Sequence, residues 1–153
     1  MYPVTFLVFG RPTLPGTEAL EEHYRRLLRR HVRLELEVLP ESRARDPGRA
    51  LGEEAARLRG RLGPRLRPVL LDAGGESLDS VDFADWLGRR TSEGARLCFV
   101  LGSSHGFDPQ LKAEAGRGLS LSPMTYPHDL ARILFLEQLY RAFSILKGSP
   151  YHK

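Results

Sequence analysis

Short apolar runs alternate with helix-like periodicities along the whole chain. VTFLVFG (residues 4–10) is a continuous apolar run closed by glycine, the pattern of a strand buried on both faces. From Thr17 to Arg30, Leu20, Tyr24, Leu27 and Leu28 recur on one helical face, with Thr17 placed as N-cap. VRLELEVL (32–39) alternates strictly and stops at Pro40, which predicts a half-buried strand. The ESRARDPG segment that follows has Pro, Gly and no period, hence a basic loop. The spacing then predicts a helix over about 49–62, a strand over 67–72, a helix opened by Ser77 or Asp79 and reaching about Arg90, and ARLCFVLG (95–102), the most apolar strand. Beyond it come a short helix from Asp108 to about Ala115, a strand-like GLSLS (118–122) and one long helix. Thr125 is placed to cap that helix, Pro127 and Asp129 lie in its first turn, and Gly148 stops it. Its expected buried face is Leu130, Ile133, Leu134, Leu139, Phe143 and Leu146, while Glu137 and Arg141 form an i, i+4 pair on the polar side.

Strands alternating with helices imply an α/β fold, a mainly parallel sheet with helices packed on it. The length, 153 residues, suits one domain with one core. Apolar residues make up 41% of the chain, yet no apolar run approaches the roughly 20 residues that a membrane span needs. The opening apolar run lacks a basic flank and a small-residue cleavage site, so a cytoplasmic protein is expected. A single cysteine, Cys98, excludes an internal disulfide framework and a cysteine-based zinc site, and its place inside an apolar strand marks it as a core thiol. The five histidines show no metal-ligand spacing, so no metal is expected.

Charge changes the picture more than composition does. The net charge of +4 is unevenly placed: residues 1–67 carry 14 Lys and Arg against nine Asp and Glu, and residues 68–153 carry nine against ten. Nearly all of the basic residues are arginines, among them Arg25, Arg26, Arg29, Arg30, Arg33, Arg43, Arg45, Arg49, Arg57, Arg59, Arg61, Arg65 and Arg67. A guanidinium fork suits phosphate, so this front half is a candidate polyanion face; a solvated arginine surface is the structural alternative.

Ligands of a parallel α/β sheet bind outside the carboxyl ends of its strands. Three loops lie there: DAGGE (72–76), GSSHG (102–106) and SPMTYPHD (122–129). GSSHG also spells the G-x-S-x-G elbow of serine hydrolases, with Ser104 as nucleophile and Asp129 and His152 following in acid-then-base order. Against that reading stands Pro109, which starts the next helix too late for an elbow. The dinucleotide fingerprint and the phosphate-binding GxxxxGK[ST] loop are both absent.

LSLSPMTYPHDLARILFLEQLYRAFSILKGSPYHK (119–153) resembles the carboxyl end of the RlmH family of ribosomal RNA methyltransferases. The matching marks are a Leu-Ser pair, a Thr-x-Pro-His turn, an L-x-R-x-x-x-x-E-Q-x-Y-R-A helix and a final Tyr-His-Lys. LLDAGGESLDSVDFA (70–84) is similar to that family's Leu-Asp-x-x-Gly segment, and LGSSHG matches its glycine loop less closely. The resemblance implies one SPOUT-type domain over 1–153, with a carboxyl-terminal trefoil knot over about 67–153, working as a homodimer. It implies methyl transfer from S-adenosylmethionine to N3 of a pseudouridine in large-subunit (23S) rRNA within assembled ribosomes. Carried over by position, the cofactor contacts are Leu71 on the first loop, Gly102 and Gly106 on the second, and Leu121, Ser122, Pro123, Met124, Thr125 and Tyr126 on the third. Two positions depart from the family pattern: Ser103 stands where a second glycine is usual, so its side chain must avoid the ligand's space, and Glu76 stands where lysine is common.

Methylating a uracil N3 requires removal of its proton while the methyl is held in line. His128, Tyr151 and His152 are the titratable candidates near the matched segment, histidine having an ordinary pKa of about 6.5. Arg132, Arg141 and Lys153 are candidate phosphate contacts, with the Glu137 pair as the structural alternative for Arg141. Gly148 and Pro150 stiffen the approach to Tyr151, His152 and Lys153, so these residues are expected to reach the donor pocket or the RNA, across a dimer if need be. A serine hydrolase and a non-catalytic RNA-binding ribosome factor are the alternatives.

Overall fold

A computed structural model describes residues 1–63 and 67–153; Arg65 of the arginine series lies outside the described residues. The elements are β1 (Tyr2–Phe9), α1 (Thr17–Leu28), β2 (Val32–Leu39), α2 (Pro47–Leu62), β3 (Pro68–Ser77), α3 (Ser80–Ser92), β4 (Leu97–Leu101), α4 (Pro109–Ala115), β5 (Leu119–Ser120) and α5 (His128–Leu146). Their five strands form one sheet in the order β2-β1-β4-β3-β5, and every pairing is parallel. The α/β architecture expected from the alternation is therefore the one observed.

Alternation of side chains across β1 and β4 builds two apolar layers from one sheet. Val4, Phe6 and Val8 join Leu97, Phe99 and Leu101 beneath α1, α3 and α5, and the rings of Phe6, Phe99 and Phe135 pack with 4.7 Å between neighbouring centroids. Leu7, Phe9, Cys98 and Val100 face the opposite way, against Ala55 and Leu58 of α2 and Leu111 of α4. Burial pushes the Cys98 thiol up to about 12, which makes it an inert packing group.

Several boundaries move for local reasons. Helix α2 begins two residues early because Asp46 caps it, accepting from the Arg49 N–H at 2.7 Å with Pro47 in the first turn. Of the two candidates for α3, Asp79 is the cap; it accepts from the N–H groups of Val81 and Asp82. Neither threonine expected to cap does so. Gly16, at φ 87°, precedes α1 and leaves Thr17 buried inside it, and Pro127 precedes α5. Leu20, Leu130, Leu134 and Leu146 are exposed rather than buried, whereas Ala131, Arg132, Phe135, Leu136 and Ala142 take the core-facing side of α5.

Strand β3 also runs past its expected end. Leu119 of β5 is the register partner of both Leu71 and Glu76, and residues 72–75 loop out between them. The Glu76 N–H then donates to the Gly118 carbonyl at 2.8 Å. Two glycines make this close pass feasible: a Cβ on Gly118 would fall on the Leu70 carbonyl oxygen, and one on Gly75 would stand 2.7 Å from the Gly118 backbone.

Arg132, expected at an RNA surface, is 2% exposed and is the largest fully buried side chain among the described residues. Its Nε donates to Glu21 of α1, and Nη1 reaches the Gly10 carbonyl at 3.4 Å. The guanidinium thus fastens α5 to α1 and to the end of β1 and is closed to phosphate. Replacing it removes the closer of the two cations on Glu21, a side chain 12% exposed, and leaves only Arg25 at 3.7 Å. Arg132→Ala is expected to cost about 3–5 kcal/mol, read as a lower urea midpoint at unchanged slope.

Candidate active site at the carboxyl edge of the sheet

The bulge within β3 and the segments leaving β4 and β5 converge on a cleft of about 470 Å³. Leu71, Asp72 and Ala73 supply one wall, and Asp72 is held there by Lys112 of α4 at 2.8 Å. Gly102 to Phe107 supply the second wall. Their turn closes on itself: the Gly106 N–H donates to the Ser103 carbonyl at 2.9 Å, Gly106 sits at φ 80°, and a Cβ on Gly102 would stand 2.7 Å from the Gly106 oxygen. Both glycines are thus required by the turn itself. Leu121, Ser122, Met124, Thr125, Tyr126 and His128 supply the third wall. The Ser122 hydroxyl accepts from the Met124 N–H at 2.9 Å, bending the chain back over the opening.

The sequence-derived contacts Leu71, Gly102, Gly106, Leu121, Ser122, Met124, Thr125 and Tyr126 therefore meet in one place; Pro123 is exposed and does not line the cleft. The Ser103 hydroxyl is committed to Glu54 of α2, to which it donates at 2.8 Å. Asp72, Phe107 and Ala131 line the cleft without having been singled out as contacts, although Asp72 opens the DAGGE loop. A second cavity of about 380 Å³ shares Leu71, Leu121 and Tyr126 with the cleft and extends to Glu76, Asp79 and Leu134. Nothing local in sequence marks it, because it lies between β5, the start of α3 and the flank of α5.

His128 brings a titratable group to the cleft. Its Nε2 is buried without a hydrogen-bond partner, and its Nδ1 lies 3.7 Å from Asp129 Oδ1. Asp129 is pinned in turn: Oδ2 accepts from the N–H groups of Thr13 at 2.8 Å and Leu14 at 2.6 Å. Burial pushes this carboxyl up, but the two N–H groups and His128 outweigh it and hold the carboxyl below the usual range.

The last residues lie elsewhere. Tyr151 donates its hydroxyl to Glu137 Oε1 at 3.1 Å and packs edge-on against Tyr140. Arg141 lies 4.8 Å over the Tyr151 ring, forks onto Glu137 and donates to His152 Nδ1 at 3.3 Å. Glu137 and Arg141 are six and ten residues along α5 from Ala131, the last helix residue to line the cleft, which places the anchors of the tail roughly 9 to 15 Å along the helix from the cleft of its own chain at 1.5 Å per residue. Burial, together with Glu137's charge and hydrogen bond, pushes the Tyr151 phenol up to about 12, so it stays protonated at neutral pH and acts as a donor, not a base. Lys153 is exposed.

The hydrolase arrangement is not assembled. Asp129 is committed to Thr13, Leu14 and His128, His152 rests on Arg141, and four residues separate Ser104 from the start of the next helix.

The chain is similar over nearly its whole length to known proteins. A family model described as "Predicted SPOUT methyltransferase" matches residues 3–152. "Ribosomal RNA large subunit methyltransferase H" of Gloeobacter violaceus is 40% identical over 149 residues, covering 97% of each chain. The protein of that name from Anaeromyxobacter dehalogenans (strain 2CP-C) is 45% identical over 134 residues, 86% of this chain and 87% of the relative. The one from Nitratidesulfovibrio vulgaris (strain DP4) is 39% identical over 154 residues, 99% of each.

The Asp129 tether gives the cleft edge a pH dependence. Because the folded carboxyl titrates below the unfolded one, its contribution is complete above the unfolded pKa of about 3.9 and is lost as pH falls through the folded value. Urea unfolding of Asp129→Asn at neutral pH is expected to show a loss of about 1–3 kcal/mol, and the gap to the parent protein is expected to close below about pH 4.

Proposed function

The chain belongs to the SPOUT methyltransferase family and, through its full-length similarity to the large-subunit methyltransferases, to the RlmH group within it; on that premise we propose that it methylates N3 of a pseudouridine in 23S rRNA within assembled ribosomes. The observation that carries this reading is the convergence of the β3 bulge and the loops after β4 and β5 on one cleft with an unpartnered imidazole nitrogen at its edge. The cleft suits S-adenosylmethionine: Leu71, Leu121 and Tyr126 offer apolar surface, and the 102–106 turn brings bare backbone to the ligand. When bound, that donor supplies an electrophilic methyl on a sulfonium.

The protein's own work is positioning and one proton transfer. His128, which lines the cleft, takes the N3 proton as the N–CH₃ bond forms and the S–CH₃ bond breaks, its Nδ1 standing 3.7 Å from Asp129 Oδ1. The loop walls hold the methyl in line and exclude water.

The protein acts as a homodimer in this reading. Tyr151 and His152 are held on α5 by Glu137 and Arg141, away from their own cleft, so these two residues and Lys153 after them act at the cleft of a second copy. The exposed Leu130 and Leu134, one turn apart on α5, and Met124 beside the cleft supply apolar surface for that contact. Arg141 then serves to fix Tyr151 and His152, while Lys153, Arg43 and Arg45 meet rRNA phosphates. A carboxyl-terminal trefoil knot over about residues 67–153 accompanies the fold. Supporting it is the glycine-only pass of Gly118 under Leu70 and Gly75, where β5 pairs on both sides of the 72–75 loop.

Methyl transfer from tritiated S-adenosylmethionine to purified ribosomes tests this function. The full chain is expected to label large-subunit rRNA, and a chain ending at Pro150 is expected to label it at a small fraction of that rate while melting at a similar temperature. His128→Gln is expected to lower the single-turnover rate by about 10² to 10⁴ while still binding the donor. Ribosome binding without donor binding or label would favour a non-catalytic RNA-binding factor instead.

A further inference from the structure

Glu54 is a carboxylate with no place in the mechanism above, yet it is 5% exposed in the middle of an otherwise amphipathic helix. Both of its oxygens are used. Oε2 accepts the Ser103 hydroxyl at 2.8 Å, a buried bond across 49 residues of sequence, and Oε1 accepts the Ser42 N–H at 3.0 Å. Ser103 is itself buried and belongs to the turn that forms the second wall of the cleft. Ser42 belongs to the segment between β2 and α2, which is further fastened to α2 by the Ser42 hydroxyl on Glu53 and by Arg57, which donates to the Pro40 carbonyl at 2.8 Å.

We infer that Glu54 is a positioning residue for the methyl donor, bracing the 102–106 turn from behind and tying it to the 40–46 segment. The inference rests on the donor cleft assigned above. The turn's internal closure consists of one backbone bond between Ser103 and Gly106, between two glycines that place no side-chain restraint on it. Its anchor to the rest of the molecule on the α2 side is the Ser103 hydroxyl. Removing the carboxylate frees that hydroxyl, and removing the hydroxyl leaves a buried carboxylate oxygen unpaired, so each change loosens the wall that faces the ligand. The same carboxylate holds the segment that carries the exposed Arg43 and Arg45, so the donor wall and this basic edge share one support.

Donor affinity, measured by calorimetry with S-adenosylmethionine and RNA-free protein, decides the matter. Ser103→Ala and Glu54→Ala are each expected to weaken donor binding by roughly threefold to tenfold, the range that one ordinary hydrogen bond commands. The double variant is expected to be no weaker than the poorer single variant within about twofold, because Ser103→Ala removes a bond that Glu54→Ala has already broken. Glu54→Gln is expected to restore donor binding, since its amide oxygen accepts from Ser42 and its NH₂ group donates to the Ser103 hydroxyl. In ribosome methylation the losses are expected in the donor's KM, with kcat retained. The inference is overturned if the single variants melt earlier yet bind donor like the parent, or if their losses multiply in the double variant. Should the parent bind donor but leave ribosomes unlabelled, the proposed substrate fails while the calorimetry still decides the role of Glu54.

Discussion

Helix α5 is held to the front of the chain by two charged residues one turn apart, and the active edge depends on that attachment. Asp129 accepts two backbone N–H groups from the segment after β1, and Arg132 reaches Glu21 and the Gly10 carbonyl. Apolar packing alone could let a long helix slide or rotate on the sheet, because dispersion and burial carry little direction. A carboxylate and a guanidinium with fixed partners cannot shift by one residue without leaving a charge unpaired in a dry place. This fixes where His128 stands, immediately before Asp129, and so fixes the third wall of the cleft.

The cleft is assembled from parts of the chain that share only their position on the sheet. Parallel strands deliver every loop after a carboxyl end to one edge, and two such loops meet the β3 bulge there. Glycine does two different jobs in them: it closes the 102–106 turn, and it lets β5 pass against β3 where any side chain would collide. Polar supports lie outside the walls. Lys112 holds Asp72, Glu54 holds Ser103, and the Thr13 and Leu14 amides hold Asp129. Each ties a loop to a helix or segment distant in sequence.

Much of this was legible in the sequence, and the failures have physical causes. Strands β1, β2 and β4 are plain because burial on two faces or one leaves a run or an alternation. The three loops, DAGGE, GSSHG and SPMTYPHD, are plain because each is marked by glycine or proline. Thr17 and Thr125 have the side chains of caps, but a glycine at positive φ and a proline took those positions, and a cap is decided by backbone angles as much as by side chain. The face of α5 was ambiguous because apolar residues surround it: Leu130 and Leu134 are exposed while Leu136 and Leu139 are buried, and periodicity cannot choose among them. Arg132 and Glu54 were hidden by their own chemistry. A charged residue in a helix signals surface, and only the fold supplies a partner that makes burial affordable. The second half of β3 was hidden because its pairing with β5 is a long-range contact that DAGGES does not announce.

The attachment of α5 also has a consequence in time. Its polar anchors join residues 111 to 122 positions apart, and the helix packs between α1, made early, and α3. A chain synthesised from its amino end can form β1, α1 and β2 while α5 is still untranslated, but it cannot complete the apolar layer over that face of the sheet. Folding is thus gated by the arrival of the last helix, and the high sequence separation of these contacts makes closure slow compared with formation of the local helices. Until then Phe6, Phe99 and the apolar side of α1 stay open to solvent or to a chaperone.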